Sequence, residues 1–430
     1  MKAFTRVACA IMAVLGTSAS SVGEQLEASA MEAEGACSSD SQLGSSGSSC
    51  SSADSTLKEQ SGDVGCGCSS LRRSAFASLD GHRAEDPQLA KGASLEAAEG
   101  ATAGESAETA DVVYLQGGVF TMGIVPEDEA DGTVFVADLE GPARNVSVSP
   151  FGLGKFEVSN ARFAEFVRQT GYVTEAEKFG WSFGVEAFLS EEVNKQITTQ
   201  VDSAPWWLPV QKADWGHPNG PDDSIEYIMN HPVTQVSLND AEAFCKWSRP
   251  GGRVPTEAEW EFAARGGKER RRFPWGHSML TGKDKKTHRM NVWQSEADKK
   301  LTRDGEVVNV YSQPNGLQLA REYYLHRNLA EDGYVGTAPV DAYGPQNGFG
   351  LYNLVGNVWE WTSTPWGTDY PEGGPGAAAN MVKKGGSFMC NKAVCNRYRC
   401  SARTQITADS AASNVGFRCA YPPAPQARRE

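Results

Sequence analysis

A chain of 430 residues with 40% apolar content supplies enough side-chain volume for a sizeable core, in one large domain or two ordinary ones. Its 54 acidic residues outnumber 40 basic ones, a formal charge of -14, which excludes a general nucleic-acid binder: that needs clustered Lys and Arg to displace counterions.

Lys2 and Arg6 precede an apolar run, Val7 to Leu15, and the small residues Thr17 to Ser21, the order of a secretory signal peptide over residues 1–23. The run is too short to span a bilayer and no later stretch reaches that length, so no membrane span is expected. Secretion implies an oxidising lumen. Nine of the 10 cysteines remain after cleavage there, and an odd number leaves at least one outside any internal disulfide.

Residues 24–110 carry 15 acidic against 5 basic residues and are rich in Ser, Ala and Gly. Such a stretch buries too little to offset its ordering entropy, so a disordered extension is expected. Within it, Gly65-Cys66-Gly67-Cys68 reads either as two mobile thiols suited to exchange with a partner or as a vicinal pair without consequence.

A globular domain is expected over 111–425, where all 11 tryptophans lie. Asn145-Val146-Ser147 is an N-glycosylation sequon and, in a secreted protein, marks a surface position. Ser159 to Val167 predicts a capped helix with Phe163, Phe166 and Val167 on one face, and a second helix is expected from Asn239 to Trp247. Thr256 to Arg265 predicts a third, with Thr256 and Glu259 in capping-box spacing and Gly266 at its stop. Turn-rich stretches between them, with no recurring period, imply an α+β domain with much irregular backbone.

Asn353 and Glu360 flank Gly356 seven residues apart, which suits either a Ca²⁺ loop of hard oxygens or an ordinary turn with polar caps. Trp359 and Trp361 fit a core or a cleft wall equally. Further on, Gly385-Gly386-Ser387-Phe388-Met389-Cys390 is followed by Cys395 and Cys400. Lys383, Lys384, Lys392, Arg397 and Arg399 would favour thiolates there. By residue chemistry, Cys390 and Cys395 are either a disulfide or a soft pair for Cu(I) with room for a third thiolate. No closely spaced histidine pair, phosphate loop or Gly-x-Ser-x-Gly elbow occurs, which removes support for zinc, nucleotide-transfer and α/β-hydrolase chemistry.

Four blocks together resemble the formylglycine-generating enzyme family, also called sulfatase-modifying factors: Gly117 to Gly123, Arg253 to Glu261, Gly350 to Trp361, and Gly385-Gly386-Ser387 through Gly416-Phe417-Arg418-Cys419. The resemblance covers 112–421. It implies a fold related to C-type lectins with sparse regular secondary structure. It also implies oxidation of a cysteine in a Cys-x-Pro-x-Arg-like segment of unfolded sulfatases to formylglycine, with O₂ and a thiol reductant or oxidoreductase of the secretory pathway. Carried over, it assigns Cu(I) to Cys390 and Cys395, and places Ser387 and Trp359 in the active site. One calcium ion is assigned to Asn353, Gly356, Val358 and Glu360, and another to Asn291, Val292, Asp332 and Tyr334. A disulfide is assigned to Cys245 and Cys419, and thiol exchange with retention in the endoplasmic reticulum lumen to the Cys66 and Cys68 extension; partial secretion is expected besides. Ala264 stands where the family's animal members place a partner for Cys400, which is therefore expected to remain a thiol. Between Trp293 and Glu331 lies an insertion that separates the residues of the second calcium set. The family's non-catalytic paralogues, which bind sulfatases and modulate the active enzyme, are the alternative, and they lack the two active-site cysteines. Trp206 and Trp207 are expected in the wall of a groove for the substrate chain.

Overall fold

Side-chain caps set where the helices begin. The computed structural model describes residues 70–79, 111–124, 134, 136–295, 302–303, 306–307, 315–325, 328–367 and 380–424. Helix α1 (Asn160–Thr170) starts at Ser159, whose hydroxyl accepts from the Arg162 N–H, and stops at Gly171 in a left-handed conformation. Short helices α2 (Glu175–Phe179) and α3 (Glu191–Gln196) follow the caps Thr174 and Ser190. Full capping boxes open α4 (Leu238–Ser248), through Ser237 and Asp240, and α5 (Glu257–Arg265), through Thr256 and Glu259. These three longer helices match the sequence expectation, with Phe163 and Phe166 buried and Val167 partly so. A further helix, α6 (Gly316–Leu325), lies in the insertion after Trp293 and buries Tyr323 and Tyr324.

The strands are short and scattered over several sheets. Strands β1 (Val112–Leu115), β4 (Phe151–Gly154) and β13 (Ala420–Tyr421) form one antiparallel sheet, and β2 (Gly118–Met122) pairs with β3 (Arg144–Val148). A second hairpin joins β5 (Trp181–Val185) to β6 (Trp207–Gln211), and a minor one joins β7 (Thr302–Arg303) to β8 (Glu306–Val307). The sheet that positions the candidate site has the order β11-β10-β9-β12, with β9 (Trp359–Pro365), β10 (Asn380–Lys384), β11 (Arg403–Thr407) and β12 (Val415–Gly416). Here β12 runs parallel to β9 and the other pairs are antiparallel. This is an α+β fold with sparse regular structure.

Aromatic contacts hold the pieces together. Phe163 of α1 stacks on Phe244 of α4 with centroids 5.8 Å apart, and Phe417 meets Phe244 edge-on at 5.4 Å. Cys245 of α4 is joined to Cys419 by a disulfide, which ties that helix to the last strands. Trp206 and Trp207 are fully buried, so they belong to this core and not to a groove wall.

Residues 70–79 correct the expectation of an extension disordered throughout 24–110. Leu71 and Arg73 are buried, and the 3₁₀ segment Arg73–Leu79 packs on the domain. The Arg73 guanidinium lies 4.0 Å from the Phe179 ring centroid and 4.5 Å from that of Trp181, and donates to the Trp181 carbonyl at 3.1 Å. Phe76 meets Trp181 and Phe183 edge-on. One aliphatic side chain, one ring and a cation over two rings bury enough to order a stretch whose average composition is polar. The signal peptide, Cys66 and Cys68 lie outside the described residues. Asn145 is exposed on β3.

Candidate active site

The loop after β10 begins at two glycines whose backbone no other residue would adopt easily. Gly385 and Gly386 have φ of 96° and 74°, and a Cβ on either would come within 2.8 Å of a backbone carbonyl, that of Leu354 or of Arg397. Beyond them the Cys390 N–H donates to the Ser387 carbonyl at 2.8 Å. Asn391 and Cys395 exchange backbone bonds at 3.1 and 3.0 Å, while the Asn391 side-chain oxygen accepts from Ala393 and Val394. This closed turn brings the Cys390 and Cys395 sulfurs to 2.8 Å, beyond the ~2.05 Å of a disulfide bond, and both are thiols. Cys390, Cys395, Ser387 and Trp359 all show 0% exposure.

Ser387 and Trp359 are joined to each other through a residue that no sequence pattern indicated. The Asn414 amide donates to the Ser387 hydroxyl at 3.0 Å, and the Asn414 carbonyl accepts from the Trp359 N–H at 2.9 Å. The Ser387 N–H points at the Cys390 sulfur at 3.4 Å. From the other side, Trp293 donates its N–H to the Cys390 carbonyl at 3.0 Å and Tyr324 its hydroxyl to the Met389 carbonyl at 2.8 Å. The indole N–H of Trp359 is buried without a hydrogen-bond partner.

Of the nearby cations, Lys383 is buried with its ammonium 5.6 Å from the Trp359 ring centroid, and three others are matched by carboxylates. Lys384 is held by Glu261 at 3.1 Å and Glu257 at 3.4 Å, Arg397 by Asp138, and Arg399 by Glu140, all in buried ion pairs. Their charge is matched where it stands, and Lys392 is exposed. Cys400 is a buried thiol whose N–H donates to the Arg272 carbonyl. Among the described residues no cluster of three or more His, Cys, Asp and Glu side chains is placed for a metal, so Cys400 does not complete a trio with Cys390 and Cys395. Two close, buried sulfurs with no third protein ligand of that kind fit a soft monovalent ion with an open position.

Of the residues expected to hold calcium, Asn353 and Glu360 both come near Glu157. Asn353, at φ 46°, donates its amide to Glu157 at 3.0 Å and leaves its side-chain oxygen buried without a partner. Glu360 on β9 receives Arg418 at 2.6 and 2.7 Å and the Trp260 indole at 2.9 Å. Glu157 and Glu360 thus share one guanidinium. Burial first, and the charge of Glu360 second, push the Glu157 carboxyl up to about 8. An orphaned amide oxygen beside two buried carboxylates and a single Arg is a cluster short of positive charge, which a hard cation would supply. Gly356 itself is required, since a Cβ there would meet the Asn291 carbonyl at 2.7 Å.

The other set comes together despite the insertion. Asp332 accepts from the Val292 N–H at 2.8 Å, from Gln294 at 2.7 Å and from the Tyr334 N–H at 3.2 Å. Gln294 also donates to the Val292 carbonyl. Asn291 donates to the Gly336 carbonyl and to Asn357, and its own side-chain oxygen is again buried without a partner. The chain between Ser295 and Glu331 therefore leaves and returns at one point. Burial raises the Asp332 carboxyl pKa.

Comparison with known proteins shows the family. The family described as sulfatase-modifying factor enzyme 1-like domain matches residues 98–422. The formylglycine-generating enzyme of Mus musculus is 48% identical over 317 residues, covering 72% of this chain and 74% of that one. That of Thermomonospora curvata is 43% identical over 322 residues, covering 73% and 93%. The inactive C-alpha-formylglycine-generating enzyme 2 of Bos taurus is 40% identical over 316 residues, covering 73% and 88%. Matched over most of its length, the chain belongs to the sulfatase-modifying factor family, that of the formylglycine-generating enzymes.

Proposed function

We propose that the protein activates sulfatases by oxidising one cysteine, in a Cys-x-Pro-x-Arg-like segment of the unfolded polypeptide, to formylglycine. The observation that carries this reading is the pair Cys390 and Cys395, held 2.8 Å apart as buried thiols by a turn built for them. In balance, R–CH₂–SH, O₂ and two reducing equivalents with their protons yield R–CHO, H₂S and H₂O, the reductant being a thiol of the secretory pathway. Cu(I), when bound by Cys390 and Cys395, supplies a soft third position for the substrate thiolate and the redox chemistry toward O₂. Ser387, oriented by Asn414, offers a hydroxyl beside the sulfurs. Trp359 closes the site against water with its ring and offers a buried N–H. A cavity of about 440 Å³ lined by Phe188, Tyr227, His231, Phe388 and Ser413 adjoins the loop and presents aromatic surface to an extended chain.

Calcium at Asn353 and Glu360, and at Asn291 and Asp332, belongs to the same reading as a structural staple. So does an oxidising lumenal compartment, which the Cys245–Cys419 disulfide and the leader-like first 23 residues support. Exchange at Cys66 and Cys68 with a retention partner completes it. No helix among the described residues is long and apolar enough to cross a membrane. The alternative is a non-catalytic, sulfatase-binding paralogue, against which stands the presence of both cysteines.

The test incubates the Cu(I)-loaded protein with a Cys-x-Pro-x-Arg peptide, O₂ and a thiol reductant, and weighs the product by mass spectrometry. The aldehyde is expected, with loss of at least ~100-fold in rate for Cys390→Ser and for Cys395→Ser, on the scale of losing a group that meets the reacting atoms. Undiminished product from either variant would overturn the assignment.

A further inference from the structure

We propose that Tyr324, on the helix carried by the insertion, is a positioning residue for the Cys390 thiol. This rests on the function proposed above. The phenol is fixed on two sides, its ring tilted against Trp206 at 5.1 Å and edge-on to Trp293 at 5.3 Å, with 0% exposure. Its hydroxyl therefore has one direction, and it donates to the Met389 carbonyl at 2.8 Å.

That carbonyl belongs to the peptide unit that leads into Cys390. The Cys390 N–H of the same unit is tied to the Ser387 carbonyl at 2.8 Å, and the next carbonyl, that of Cys390, is tied to the Trp293 N–H at 3.0 Å. Three bonds thus hold the two planes on either side of the Cys390 α-carbon, and with them the direction of its Cβ. Cys395 is held separately, by its exchange with Asn391. The spacing of the two sulfurs depends on both arms. Tyr324 supplies the one bond in the first arm that comes from a side chain and from the insertion.

The helix is itself pinned to the domain. Arg321 pairs with Glu186 at 3.1 Å, on the 3₁₀ turn Glu186–Phe188, and Phe188 packs edge-on against Trp293 and Phe388. The inserted chain leaves beside Trp293, which bonds to the Cys390 carbonyl, and returns at Asp332, which accepts from Val292 next to Trp293. A polar insertion thus places a buried tyrosine hydroxyl on the thiol loop.

Tyr324→Phe in the full chain removes the hydroxyl and keeps the ring. The expected result is a fall of roughly 10-fold in kcat for peptide oxidation with KM within about twofold, because a displaced reacting group costs rate more than substrate binding. Cu(I) affinity, measured without turnover by competition with a chromophoric chelator, is expected to fall about 10-fold as the two-sulfur geometry loosens. Arg321→Ala, which unpins the helix and keeps the hydroxyl, is expected to move both in the same direction by less. A folded Tyr324→Phe protein with the parent's kcat and Cu(I) affinity would overturn the proposal. So would a variant whose loss is confined to melting temperature, its folded fraction having parental values. If the parent made no aldehyde, the proposed function would fail while the chelator competition still decided the role of Tyr324.

Discussion

Two asparagine side-chain oxygens, on Asn291 and Asn353, are buried without a hydrogen-bond partner, a costly state that a coordinated cation would relieve. Calcium at a hundred times its Kd is expected to add ~2.7 kcal/mol to the stability, read as a melting temperature several degrees higher than in chelator. Asn353→Ala is expected to shrink that difference by the share of its site, and a chelator response identical to the parent's would remove Asn353 from the ligand set. The Cys390 and Cys395 pair was legible in the sequence because both lie in one short block with their glycines. Glu157 was not, for it reaches Asn353 and Asn357 across 196 and 200 residues. Asn414 was missed for the same reason, standing 27 residues from the serine it orients.

Helix α5 was readable from its capping box, since a Thr followed at the third position by Glu solves a local problem with local residues, whereas α2, α3 and α6 were not expected. The sheets were not, because strands of two to seven residues pair across the chain and leave little alternation to detect. One element contact bears directly on the site. Lys384, the last residue of β10, is anchored to Glu261 of α5 just before Gly385. Burial alone would raise the Glu261 carboxyl, but Lys384 and Arg265 outweigh it and lower the pKa to about 2. A carboxyl depressed in the folded state stabilises above its unfolded pKa, near 4.5, and that stabilisation is lost as pH falls through about 2. Glu261→Gln is therefore expected to lose about 3–5 kcal/mol at neutral pH, by leaving two buried cations short of a partner. Its denaturation midpoint should also decline less steeply between pH 4.5 and 2 than the parent's. Parallel pH profiles for the two proteins would refute this.

At the scale of the molecule, the Cys245–Cys419 bond closes 174 residues and spans nearly the whole described domain from α4 onward. Chain-entropy reasoning gives roughly 5 kcal/mol for a loop of that length, so the double substitution of both cysteines by alanine is expected to lower the unfolding free energy, measured by denaturant titration, by about that much. A change below ~1 kcal/mol would show that other contacts already confine the unfolded chain. The complete burial of Cys390, Cys395 and Ser387 has a kinetic meaning as well. On the proposed function, a polypeptide thiol would reach the pair only after some of its cover had moved, so turnover would run no faster than that opening. The same closure is a safeguard. In the oxidising lumen proposed for the protein, the closed state would hide the thiols from other disulfides, so their lifetime would be set by how seldom the site opens, and throughput and chemical lifetime would be exchanged one against the other.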